Sequence, residues 1–318
     1  MNHSSVRPVA VAVFDIGTNT TKLVIAEVEP STGAISENKF LKETTRIGEG
    51  LATNGEISAS ALLRTVNAIE RFLQVVHQYD CEHVFAFSTH ALRSAANGKE
   101  AASRIETETG IDIRILSGKE EARFAYSSAR AHLGPLEPES FLIDVGGGST
   151  EFLHACRDQV LEVRSLSLGA LYLTERFLES DPIDKKEYAR LRSHVSAVVT
   201  PLFEGLIPQA GRTGLVASGG SVVTIKKMSN RSQTHTAITT PKIRIGDIRR
   251  LQAQCLALPL DKRKRLPGIE PDRADIIPAG LAVVIAFMEA AHKKVLKINP
   301  GGVRDGALIH LVQNNFRW

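Results

Sequence analysis

The stretch "DVGGGSTEF" (144–152) ends an apolar run with an acid. It then sets three glycines in succession before Ser149, Thr150 and Glu151. A hairpin turn is served by one or two glycines, so three of them between two carboxylates call for another reason. Read outward, "SFLIDVGGGSTEFLHACRDQVLEVRSLSLG" (140–169) is strand, glycine turn, strand, short turn, strand. The start of the chain has the same form. "VAVAVF" (9–14), "TKLVIAEV" (21–28) and a third strand around 38–47 are separated by "DIGTNT" and "EPSTG". When "DIGTNTTKL" from Asp15 is laid beside "DVGGGSTEF" from Asp144, the acid, the first glycine and the last threonine (Thr21, Thr150) fall in register. The offset is 129 residues, close to one domain length. The repeat predicts a duplicated domain.

Between the two copies, Leu62, Leu63, Val66, Ile69, Phe72, Leu73 and Val76 mark one helix face. A strand over 83–88, a helix around 91–109, a strand over 111–117 and a helix from about 119 to 132 come next. The second half predicts helices near 184–207, 247–257, 273–293 and 303–315, with a strand and glycine turn at "GLVASGGSVVTI" (214–225). Hairpins followed by βαβα give an α/β class with mixed sheets. The expected domains are 1–124 and 125–302 around a cleft, with the terminal helix 303–318 returning to the first.

Composition excludes several classes. No run reaches the ~20 apolar residues of a membrane span; "GLAVVIAFMEAA" (280–291) is too short and carries Glu289. The N-terminal apolar run reads as a first strand, not a signal peptide. Cys81, Cys156 and Cys255 show no CxxC spacing, which suits a reducing cytoplasmic setting and no thiolate metal cage. Ten histidines include no HExxH pair, and His90 reads as a packing residue. A net charge of +4 fits an anionic ligand without naming one. Neither a nucleic-acid nor a membrane partner is expected. "KRKR" (262–265) and "HKK" (292–294) read as solvated faces, or as a groove that tracks a polyanion.

Three turns stand out: "DIGTNT" (15–20), "DVGGGST" (144–150) and "SGGS" (218–221). Glycines at strand ends let backbone N–H groups converge on phosphate oxygens. Gly146, Gly147, Gly148, Gly219 and Gly220 are the candidate donors, and Thr18, Asn19, Ser149 and Ser221 add side-chain hydrogen bonds. Each turn taken alone is also an ordinary turn. Asp15 and Asp144 at the strand ends suit Mg²⁺, or another divalent cation, which takes one or two carboxylates and completes its shell with water and phosphate. Glu151 sits just past the turn, where the strand could direct it to the same metal.

The chain resembles the exopolyphosphatase/guanosine pentaphosphate phosphohydrolase (Ppx/GppA) family, in its short two-domain form. The matching stretches are "FDIGTNTTKLVI" (14–25), "RIGEGL" (46–51), "STHALRSAANG" (88–98), "SGKEEARFAY" (117–126), "LIDVGGGSTEF" (142–152), "SLSLGALYLTERF" (165–177), "ASGGSVVTI" (217–225), "RADIIPAGLAV" (273–283) and "PGGVRDGAL" (300–308). The resemblance implies a duplicated actin-like ATPase fold (ribonuclease H-like, of the sugar kinase–Hsp70–actin class). It implies Mg²⁺-dependent hydrolysis of the terminal phosphoanhydride of inorganic polyphosphate or guanosine pentaphosphate. It also implies Glu121 as catalytic base, Arg93 facing the phosphates, Asp144 and Glu151 at the metal, and a homodimer. Thr18 and Thr20 stand where the family usually has serine, and "SGGS" departs from the usual third turn. A phosphotransferase and a non-catalytic polyphosphate sensor are the competing readings. From periodicity alone, Glu120 and Glu121 also suit a helix N-terminus.

Overall fold

The computed structural model describes residues 7–206, 213–231 and 241–318. The chain forms two compact units, one of Met1–Ser117 with Arg304–Trp318, the other of Gly118–Val303.

The first unit opens with β1 (Val9–Ile16), β2 (Thr21–Val28) and β3 (Ile35–Glu43). They are followed by α1 (Leu51–Asn54), α2 (Ala59–Gln78) and β4 (His83–Ser88). Next come α3 (His90–Ser94), α4 (Gly98–Thr109) and β5 (Ile113–Ile115). Its sheet has the order β3-β2-β1-β4-β5. The hairpins β1–β2 and β2–β3 are antiparallel, whereas β4 joins β1, and β5 joins β4, in parallel. Ser58 caps α2 by accepting from the Ala61 N–H, and Leu62, Val66, Ile69, Phe72 and Val76 bury one helix face on the sheet. The single helix expected over 91–109 is two, because Ala95 adopts extended backbone and ends α3.

The second unit begins with α5 (Gly118–Leu133) and the hairpins β6 (Glu139–Val145), β7 (Thr150–Cys156) and β8 (Gln159–Leu166). It continues through α6 (Ala170–Phe177), α7 (Lys185–Val199), β9 (Thr213–Ser218) and α8 (Gly220–Arg231). Then come β10 (Lys242–Arg244), α9 (Ile245–Leu256), α10 (Leu260–Arg263), α11 (Ile277–Ala290) and β11 (Val295–Ile298). Finally α12 (Val303–Gln313) leads into the first unit. There Trp318 sets its ring edge-on to Phe85 and Phe87, with Arg114 over its face.

The second sheet has the order β10-β11-β9-β6-β7-β8. Read from β8, it repeats the first sheet: two antiparallel hairpins, then two parallel additions, β9 on β6 and β11 on β9. An antiparallel edge strand, β10, is added beyond β11. This duplicated mixed-sheet α/β architecture is the fold the repeat and the resemblance imply. The sequence reading missed α1, α6, α8, α10, β10 and β11. The first unit ends at Ser117, not 124, because α5 packs on β6, β7 and β8. Glu121 therefore belongs to the second unit.

The apolar run at 280–291 is the centre of the second core. From Ile277 to Met288 every residue of α11 is buried, and α6, α7, α8 and α9 surround it. A helix apolar on all sides needs such enclosure. "KRKR" is not wholly a solvated face, for Arg263 is 2% exposed. Its guanidinium donates to the carbonyls of Cys255 (2.9 Å), Ala274 (3.2 Å) and Leu258 (3.0 Å), tying α9 to the segment before α11. Arg263→Leu strands those buried acceptors. It is expected to cost about 2–4 kcal/mol in urea unfolding, whereas Arg265→Leu on the exposed side costs under about 0.5.

Candidate active site

The second glycine turn joins β6 to β7. Gly146 N–H closes it on the Ser149 carbonyl at 3.0 Å. The segment after β8 then folds back onto this turn: the N–H groups of Gly169, Ala170, Leu171 and Tyr172 donate to the carbonyls of Gly148, Gly146, Gly147 and Gly147 again. The first turn of α6 thus satisfies its own orphan donors on the glycine carbonyls. The approach is so close that a Cβ on Gly169 would lie 2.2–2.3 Å from backbone atoms of Gly147 and Gly148. With those carbonyls engaged, the N–H groups of Gly147 and Gly148 find no backbone acceptor among the described residues. Two successive N–H groups of this kind form an anion nest.

The hairpin also fixes the carboxylates. Asp144 is the register partner of Glu151 across β6–β7, and directly paired antiparallel residues share a face. Ser218 on β9 pairs with Asp144, and Ser165 on β8 pairs with Glu151. Their hydroxyls donate to Asp144 Oδ1 at 2.6 Å and to Glu151 Oε1 at 2.8 Å. Ser218, Asp144, Glu151 and Ser165 therefore form one transverse row across four strands. Asp144 and Glu151 are both buried. Neither serine stands out in the sequence, although Ser218 opens "SGGS" and Ser165 opens "SLSLG".

Glu121 lies in the first turn of α5 and is 3% exposed. Gly118, one turn earlier on the same helix face, brings α5 onto β8: a Cβ there would sit 2.3 Å from Ser165 Cβ. The residue that holds Glu151 is thus also the one against which the Glu121 helix is seated.

The third turn is strand–turn–helix, not strand–turn. β9 ends at Ser218 and α8 starts at Gly220, with Ser221 buried in its first turn. Free N–H groups of a helix start suit an anion. The guanidinium of buried Arg273 is pressed on Gly220, where a Cβ would lie 2.5 Å from its nitrogens. Its Nε donates to Glu270 at 3.1 Å. Arg273 opens the stretch "RADIIPAGLAV" but has no role assigned by the sequence, since composition gives no sign that it reaches a glycine turn.

In the first unit the same logic recurs with a different charge. Gly17 N–H bonds the Thr20 carbonyl, and the carbonyls of Thr18 and Asn19 accept from Gly48 and Arg46. Asp15 faces Lys22, the position that corresponds to Glu151 in the repeat, and Lys22 Nζ donates to its Oδ2 at 2.8 Å. Asp15 is therefore held as an ion pair within its own unit, which weakens its expected role as a metal ligand. Within neither unit do three His, Cys, Asp or Glu side chains gather to hold a metal among the described residues. Asn19 is 4% exposed, and neither its Nδ2 nor its Oδ1 has a hydrogen-bond partner among the described residues. Arg93, in α3, donates from Nη1 to the Leu116 carbonyl at 2.6 Å.

Two buried carboxylates in direct register, each steadied by a hydroxyl, are a donor set that Mg²⁺ accepts, with water and phosphate completing its shell. Asp144 and Glu151 fit that ion. A carboxylate row beside a pair of backbone N–H donors is an arrangement suited to phosphate in an α/β protein.

Comparison with known proteins agrees. The sequence pattern of the Ppx/GppA phosphatase family matches residues 14–315, and the chain belongs to that family. It is 26% identical over 301 residues to exopolyphosphatase 1 of Mycobacterium tuberculosis, covering 93% of this chain and 86% of that protein. It is 25% identical over 306 residues to a putative exopolyphosphatase of Haemophilus influenzae, covering 96% and 92%. The crystal structure of the Aquifex aeolicus Ppx/GppA family member superposes with a TM-score of 0.77 at 25% identity, over 98% of this chain and 100% of that one. An exopolyphosphatase from Cytophaga hutchinsonii shares the fold, with a TM-score of 0.86 at 23% identity, over 96% and 98%. No helix among the described residues is long and apolar enough to cross a membrane.

Two measurements probe the first unit. An unpaired buried amide costs about 1–3 kcal/mol, so Asn19→Leu should raise stability in urea by roughly 1 kcal/mol while weakening phosphate binding. Equal losses of both would show the amide to be structural. At the start of α3, burial and then the charge of Arg93 push His90 down to about 4. The folded protein then holds fewer protons than the unfolded chain between pH 4 and 6.5. Stability is complete above about pH 6.5 and falls as pH drops toward 4. Unfolding free energies from urea titrations of wild type and His90→Gln should diverge in that window by about 1–3 kcal/mol, with the variant less sensitive.

Proposed function

We propose that this protein is an exopolyphosphatase that hydrolyses the terminal phosphoanhydride of inorganic polyphosphate and releases phosphate in a Mg²⁺-dependent reaction. The observation that carries the reading is the row Ser218–Asp144–Glu151–Ser165 beside the N–H groups of Gly147 and Gly148, which have no backbone acceptor among the described residues. The names of the mycobacterial and Haemophilus relatives support the substrate class.

Phosphoryl transfer to water needs a bound phosphoryl group, an oriented nucleophile and positive charge on the oxygens. Gly147 and Gly148 donate backbone hydrogen bonds to phosphoryl oxygens, aided by Ser149 and by the α8 start at Gly220 and Ser221. Asp144 and Glu151 hold the cation, which supplies charge neutralisation when bound. Ser218 and Ser165 fix one oxygen of each carboxylate, so the carboxylates keep their orientation without it. Glu121 accepts the proton of the attacking water at a carboxylate oxygen. Its buried site limits access by bulk water. In the first unit Lys22 offsets the charge of Asp15.

The test is phosphate release with Mg²⁺ from long-chain polyphosphate, guanosine pentaphosphate and ATP. Polyphosphate should rank first, and Glu121→Gln should lower kcat by about 10²–10⁴ with polyphosphate still bound. Asp144→Asn should weaken Mn²⁺ binding in a calorimetric titration, a readout independent of turnover. Preference for guanosine pentaphosphate would move the assignment to the other activity in the family name. Binding without release would leave a sensor.

A further inference from the structure

At the edge of the second unit, the end of β10, the first turn of α9, the end of α11 and the turn before β11 enclose an open groove of about 590 Å³. Its cations are Arg244, Arg249, Arg250, Lys293 and Lys294; its only carboxylates among the described residues are Asp247 and Glu289. Arg249 pairs with Glu289 at 2.7 Å, and Arg250 pairs with Asp247. Lys293 donates to the neutral hydroxyl of Thr213. Arg244 and Lys294 are exposed and make no ion pair among the described residues. Three positive charges thus remain uncompensated, contributed by an edge strand and a turn far apart in sequence. Beside them Lys242 lies directly across from Lys297 on β10–β11, and Lys297 is paired with Glu137 at 2.7 Å.

The groove is separate from the carboxylate row. β11 runs parallel to β9 and β9 to β6, so the glycine turns and the row sit at the C-terminal ends of these strands. Lys293 and Lys294 precede the first residue of β11, and Lys293 reaches Thr213 at the start of β9. From Thr213 to Ser218 the strand spans about 17 Å at about 3.3 Å per residue. A solvated basic face would interleave its charges with acids on a convex surface. Here the excess lines a concavity, and its open form suits an extended chain better than a compact ion.

We propose that this groove is a second anion site, which holds an internal segment of a polyphosphate chain away from the end being hydrolysed. The proposal rests on the exopolyphosphatase reading for its ligand. Exposed lysine binds such a chain as a point charge and arginine through its planar fork, and both pair with successive phosphates, so affinity should depend on chain length and on salt.

The test uses Arg244→Gln/Lys294→Gln, both exposed and remote from the row, with an unchanged melting temperature as the folding control. Phosphate release is compared on long-chain polyphosphate and on tripolyphosphate. Binding of long-chain polyphosphate is titrated directly, without divalent cation, in low and high salt. The expected result is a KM for long chains raised about tenfold in low salt, with kcat and the tripolyphosphate KM unchanged and the difference shrinking in high salt. An unchanged long-chain KM, or an equal rise for tripolyphosphate, overturns the proposal. So does competition by orthophosphate or GTP as effective as that by the chain, which would mark a site for a single phosphate or nucleotide. If wild type releases no phosphate from any polyphosphate, the exopolyphosphatase reading fails by itself. The binding titration then still decides the groove: weaker binding by the double variant sustains it, and equal binding overturns it.

Discussion

Backbone meets backbone where the segment after β8 closes on the glycine turn between β6 and β7, nearer than any Cβ permits. Gly169 makes the approach, and Gly146, Gly147 and Gly148 receive it with their carbonyls. Once those carbonyls are taken by the start of α6, the turn presents N–H groups elsewhere. The same contact holds the hairpin register in which Asp144 faces Glu151. A one-residue slip would send the two carboxylates to opposite faces and bring apolar neighbours into the row. The first unit repeats the device more loosely. Gly48 closes on Thr18, where a Cβ would lie 2.3 Å from the threonine methyl, a contact with a side chain instead of backbone.

Duplication followed by a change of charge gives the two turns different work. Lys22 and Glu151 occupy corresponding places, each opposite the aspartate that ends the preceding strand. In the first unit the pair is internally neutral. In the second, two adjacent carboxylates are buried, a state that costs several kcal/mol unless cations or donors compensate it. The hydroxyls of Ser218 and Ser165 supply part of that compensation. The asymmetry explains how one module, used twice, can concentrate the buried carboxylates in one unit.

Much of this was legible in the sequence because it depends on short-range pattern. The strands over 9–16, 21–28 and 83–88 alternate or run apolar, and the in-register acids and glycines mark the repeat. What was missed depends on contacts between distant segments. α6 is only eight residues long and is anchored by the glycine carbonyls more than by its own periodicity. β10 is a three-residue edge strand, and β11 has four residues. Arg263 reads as part of a solvated face and Arg273 has no role assigned by the sequence, yet both are buried by what they bind. Lys22 was readable in principle: the same alignment that matched Asp15 to Asp144 sets it opposite Glu151. Ser165 and Ser218 could be found only by adding the registers of two further strands.

The site is therefore expensive to keep folded, and the core must offset it. Glu121, Asp144 and Glu151 are buried in one unit, and in the other the Asn19 amide has no hydrogen-bond partner among the described residues. Against this, α11 is enclosed by four helices, and Phe141, Phe152, Phe203 and Phe287 pack ring against ring in the same core. Each such aromatic contact adds about 0.5–1.5 kcal/mol beyond its buried area. The second unit thus carries both the greatest electrostatic burden and the all-buried helix. The pairing has a physical cause: a row of buried carboxylates keeps its register best where the sheet beneath it is already fixed by packing.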